Sequence, residues 1–125
     1  MSMLVRIGLL ELAAGALLGW VVAAEHAAPQ RLRRIGLVHP RRILQAHLDY
    51  VIMGLILVTV GVAAPGLPGW AAALVVTGTL LNPTLFLPLA FHDRLRETLP
   101  YRVVSAFSFL ATSLGLVTAA LYPSY

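Results

Sequence analysis

His47 and Asp49 stand two residues apart in a largely apolar stretch, with Gln45 before them and Tyr50 after. An imidazole at such a place could bind a metal or carry a proton, and a carboxylate could accept a proton or a hydrogen bond. On a helix His47, Tyr50, Val51 and Gly54 share one face, whereas Asp49 points about 200° around from His47, so the two address different neighbours. His47 by itself reads either as a hydrogen-bonded side chain near a span end or as a ligand. Glu11 poses a similar choice. It shares a face with Gly8, Gly15 and Gly19, which reads either as a packing seam around a protonated or hydrogen-bonded carboxyl, or as a proton relay or substrate contact.

Two further groups are less pointed. Thr79, Asn82, Pro83, Thr84 and Pro88 interrupt a third apolar run, and each proline removes a backbone donor. The carbonyls of Thr79 and Thr84 then need Thr or Asn side chains or a ligand, unless the run simply kinks. Ser105, Ser108, Thr112 and Gly115 form one stripe, expected to glue helices together. Glu25, His26, His39, His92 and Asp93 show neither the i, i+4 spacing nor the clustering of a zinc site. The chain has no cysteine, so thiolate metal sites, disulfides and cysteine nucleophiles are excluded.

The elements that must position these groups follow from composition. Of 125 residues 59% are hydrophobic and 11% charged, with a mean hydropathy of +0.86. A water-soluble domain this small would lack the polar surface to cover itself. A bilayer core about 30 Å thick needs about 20 apolar helical residues, and four such runs are present: residues 4–24, 43–64, 70–91 and 103–122. None alternates with the period of a barrel strand. The expectation is an all-α integral membrane four-helix bundle formed by a single domain, without internal repeats.

All nine basic residues are arginines, giving a net charge of +4. Arg31, Arg33, Arg34, Arg41 and Arg42 fall in or beside the first linker, and Arg94, Arg96 and Arg102 in or beside the third. That places both linkers on the cytoplasmic side, both termini outside, and the chain in a plasma membrane, the bacterial inner membrane being the expected one. Such arginines are topology signals, so nucleic acid is not an expected partner. Tyr122, Tyr125, Trp20 and Trp70 are expected at the outer interface. The charge cluster follows the first span instead of preceding it, which argues against a cleaved leader.

The stretch from His39 to Gly54, with Pro40, Arg41, Ala46, His47, Leu48, Asp49, Val51 and Gly54, resembles the family of hydroxylaminobenzene mutases and styrene oxide isomerases. Gly78, Thr79 and Asn82 echo a second motif of that family. The resemblance spans roughly the first 85 residues. It implies haem b held by His47 in a homotrimer of four-helix protomers. It also implies redox-neutral rearrangement of a small apolar epoxide or aryl hydroxylamine that arrives from the bilayer, with ferric iron as Lewis acid. Carried onto this sequence, His47 is the axial ligand, Arg41 and Arg42 are propionate partners, and Gly54 leaves room beside the ring. Asn82, Asp49 and Tyr50 are the candidate polar contacts to substrate. Two positions depart from the pattern, Met53 where the family has Asn and Leu80 where it has Tyr. Loss of those polar groups motivates an alternative, a non-catalytic family member with a haem-binding, structural or regulatory role. A proton-coupled transporter, motivated by Glu11, Asp49 and the broken third run, is the remaining alternative.

Overall fold

The structure, a computed structural model, describes residues 2–122. Its long helices are α1 (Met3–Ala27), α3 (Pro40–Ala63), α4 (Gly69–Thr84) with its continuation α5 (Phe86–Leu89), and α6 (Leu99–Leu121). A short α2 (Pro29–Arg34) and a single 3-10 turn (Asp93–Glu97) fill the linkers. Four helical stretches, α4 and α5 counted together, are long and apolar enough to cross a membrane. Ser2 caps α1, its hydroxyl accepting from the Val5 N–H at 3.2 Å. Pro29, Pro40 and Pro100 occupy first turns, where a missing N–H costs nothing. For that reason α3 starts at Pro40 and α6 at Leu99, ahead of the apolar runs expected from 43 and 103.

The third run is divided. Pro83 lies in the last turn of α4, Leu85 separates it from α5, and Pro88 lies within α5. At the break the Leu85 carbonyl accepts a hydrogen bond from the Tyr101 hydroxyl of α6 at 2.6 Å. Of the side chains the sequence offers for the freed carbonyls, Asn82 is not used there. Its amide crosses to α6 instead.

The helices pack in two antiparallel pairs, α1 on α3 and α4 on α6, joined where α3 meets α4. In the first pair glycines meet backbone to backbone. A Cβ on Gly8 would lie 2.9 Å from the Gly54 carbonyl oxygen, and one on Gly54 would lie 2.9 Å from that of Gly8. In the second pair a Cβ on Gly78 would collide with Thr112, and one on Gly115 with Val75. Close approach of this kind is how helices gain dispersion energy where lipid offers no hydrophobic contrast.

One end of the bundle gathers the arginine-rich linkers. Gly36, at a φ of 93°, turns the chain out of α2. The N–H groups of Val38 and His39 then both donate to the Ala90 carbonyl, at 3.1 and 2.9 Å. Leu37, Ile43 and Ala90 form a buried plug there. Trp70 and Tyr122 stand at the opposite end, as expected. Trp20 does not. It precedes the end of α1 at Ala27 by seven residues, about 10 Å of helix, so it lies in the arginine-side half. Tyr125 lies outside the described residues.

Candidate functional site

α3 carries the candidate residues on two flanks. Toward α1, the His47 ring lies over Gly19, where an added Cβ would come within 3.1 Å of its Cε1. His47 Nδ1 sits 2.6 Å from the Gly15 carbonyl oxygen. A carbonyl can only accept, so Nδ1 carries the proton, and in the neutral ring Nε2 presents a lone pair. A backbone carbonyl holding one ring nitrogen is the usual support for a histidine that ligates through the other. One turn toward the arginine end a cleft of about 400 Å³ opens between α1 and α3. Val21, Val22 and Leu44 are among its apolar walls, and Arg41, Glu25 and His26 are its polar residues.

The other flank faces α4, α5 and α6 across a cleft of about 490 Å³. Asp49, Met53, Asn82, Ser105 and Phe109 line it, with Arg42 and Arg96 at the linker end. Asn82 uses both ends of its amide. Its Nδ2 donates to Thr112 Oγ1 at 3.2 Å, and its Oδ1 accepts from Ser108 Oγ at 2.6 Å. Of the stripe Ser105, Ser108, Thr112 and Gly115, the last three bind α6 to α4 as the spacing suggested, while Ser105 lines the cleft. Asp49 is half-buried and, among the described residues, has no hydrogen-bond or ion-pair partner.

The remaining candidates are distributed between these flanks. Tyr50 packs its Cβ over Gly15 and shares a 2.6 Å hydrogen bond with Thr84 Oγ1. Gly54 is buried in the α1 crossing, and Gly8 and Leu12 fill the space beside it. Arg42 turns away from Arg41. It donates to Asp93 at 2.8 Å and to Gln45 at 2.9 Å. That hydrogen bond, with the charges of Arg42 and Arg96 beside it, holds the Asp93 carboxyl below the usual carboxylate range.

Glu11 is 2% exposed, and neither of its oxygens has a hydrogen-bond partner among the described residues. Gly8 and Gly15, on the same face, are buried with it, so the packing seam read from the sequence forms, with the carboxyl unsatisfied inside it.

Sequence reasoning did not place Tyr101 and Phe109 in the second cleft. The signal was present, because Tyr101, Ser105 and Phe109 recur at i, i+4 and i+8 once α6 is taken to begin at Leu99. Reading Tyr101 as part of a linker hid it. The chain matches no family model, no curated protein and no solved structure.

Proposed function

We propose that this protein is a haem-dependent membrane isomerase that rearranges a small apolar epoxide or aryl hydroxylamine without net redox change. The observation that carries this reading is the 2.6 Å contact between His47 Nδ1 and the Gly15 carbonyl, which fixes the ring and leaves Nε2 for a metal. The adjoining cleft suits the apolar edge of a porphyrin, and Arg41 on its lining suits a propionate. Gly19, with no side chain, gives the imidazole its place against α1. The likeness of the His47 motif to the mutase and isomerase family points the same way. When bound, ferric haem would supply a Lewis acid for an epoxide or hydroxylamine oxygen.

The roles of this chain's residues follow from their positions. His47 would hold the haem iron and Arg41 would pair with a propionate. Arg42, committed to Asp93 and Gln45, braces the linkers, and Gly54 closes the helix crossing. Asp49 accepts a hydrogen bond from substrate, and Asn82 forms the polar wall beside it. His47 and Asp49 occupy opposite flanks of α3. Both can therefore serve one molecule only if the flanks of two copies meet, an arrangement in keeping with a homotrimer. The arginine end lies on the cytoplasmic side of the bacterial inner membrane with both termini outside, supported by the gathering of both basic linkers at one end.

Incubation of the haem-loaded protein with styrene oxide or phenylhydroxylamine tests the reading. Aldehyde or aminophenol is expected from the native chain and none from His47→Ala. Equal turnover by both, or none by a native chain with full haem occupancy, overturns it. One observation favours a second reading: the unsatisfied Glu11 carboxyl suits proton-coupled transport. Uptake into proteoliposomes driven by a pH gradient and lost in Glu11→Gln would support that alternative.

A further inference from the structure

The two basic linkers share one end of the bundle and differ in how far their charge is neutralised. In the third linker Arg94, Arg96 and Arg102 stand with Asp93 and Glu97, and Arg96 lies 3.4 Å from Asp93. The first linker sets Arg31, Arg33, Arg34, Arg41 and Arg42 against Glu25 alone, and Arg42 is already bound to Asp93 at 2.8 Å. Unanswered charge therefore gathers on α2. Its Arg31, Arg33 and Arg34 are exposed and have no ion-pair partner among the described residues.

The fold fixes where these guanidiniums stand. Leu32 packs α2 against the buried plug of Leu37, Ile43 and Ala90, and with successive residues about 100° apart the three arginines fan around its remaining sides. The Leu37 N–H returns to the Leu32 carbonyl at 3.0 Å, which holds the turn after α2 as well. Ile35 and Val38, 68% and 50% exposed, lie on that turn. Both ends of the stretch are tethered to helices long and apolar enough to cross a membrane, one ending at Ala27 and the next starting at Pro40. With those helices in a bilayer, α2 stays at its surface. Guanidiniums beside exposed aliphatic side chains at that level match a phosphodiester with acyl chains below it. A polynucleotide or an acidic peptide would answer the charge and leave Ile35 and Val38 in water. We infer that α2 and the turn after it bind an anionic phospholipid, its phosphodiester held by Arg31, Arg33 and Arg34. These residues carry none of the roles given above to His47, Arg41 and Asp49, so the site stands apart from the isomerase reading.

Electron paramagnetic resonance of the full chain in phosphatidylcholine proteoliposomes tests the inference. Trace phosphatidylglycerol or phosphatidylcholine with the same nitroxide-labelled acyl chain is added, and the share of label slowed by the protein is measured. At low salt phosphatidylglycerol should be preferred about fivefold. In about 0.5 M sodium chloride the two lipids should come within about twofold of each other. Arg31→Gln, Arg33→Gln and Arg34→Gln combined should have the same effect at low salt, whereas Arg94→Gln with Arg102→Gln should leave a preference of at least about threefold. No preference in the native chain, one that survives the α2 substitutions, or an equal loss in the third-linker variant would overturn the inference. Displacement of the lipid by inorganic phosphate, where chloride of the same ionic strength displaces none, would assign the arginines to a free anion and overturn it too. Should the α2 variant not fold, the salt series decides on the native chain, and a preference unmoved by salt counts against the site.

Discussion

The two helix pairs of this bundle solve the same packing problem with different polar contents. Both bring backbones together at glycines, Gly8 against Gly54 in the α1–α3 pair and Gly78 against Thr112 in the α4–α6 pair. In the α4–α6 seam Asn82, Ser108 and Thr112 answer one another, and Thr79 donates back to its own helix at Val75. The α1–α3 seam encloses a carboxyl that nothing answers among the described residues, and at its edge an imidazole with one nitrogen committed and the other without a partner there. A closed polar network holds helices together. An open one leaves capacity for a proton, a metal or a ligand, and evolution has little structural reason to keep it.

Substitutions can separate the two seams. Gly54→Leu drives a side chain into the Gly8 backbone, and a loss of about 3 kcal/mol or more is expected in unfolding from mixed micelles. Asn82→Leu strips Ser108 and Thr112 of a shared partner and should cost about 1 to 2 kcal/mol in the same assay. Glu11→Leu should behave in the opposite sense. Removing an unanswered carboxyl is expected to leave stability unchanged or raise it by about 1 kcal/mol, and a loss as large as that of Asn82→Leu would mean that Glu11 is paired after all.

The smallest effect belongs to the Asp93 clasp between the linkers. Its carboxyl is held below the ordinary range, so its contribution is complete above the unfolded value near 3.9 and fades as pH falls below that value. The thermal midpoint of the native chain should therefore drop more steeply than that of Asp93→Asn only in that acid window. Parallel curves would remove the clasp from the account.

Much of this contrast is written in the residues, and the rest depends on register. Four long apolar runs predict four long helices because burial in lipid demands length above all. The Gly8, Glu11, Gly15 stripe lies on one helix, so periodicity alone reveals it as a seam. The union of Asn82 with Ser108 and Thr112 joins two helices, and no spacing within either states which heights will meet. Trp20 departs from its expected interface for a related reason. An aromatic residue in a span signals an interface, but only its distance from the helix ends tells which one. The boundaries at Pro40 and Leu99 differ from those of the apolar runs because a helix ends where its backbone is capped, and an apolar run ends where its side chains turn polar.

The central claim is that His47 offers its Nε2 to an iron porphyrin. Hemin titration of the purified protein, followed by optical and electron paramagnetic resonance spectra, tests it most directly. A saturable Soret band at one haem per chain is predicted for the native protein, lost in His47→Gly and restored when imidazole is added to that variant. A native protein that takes up no hemin, or a His47→Gly variant whose spectra match the native ones without imidazole, would contradict it.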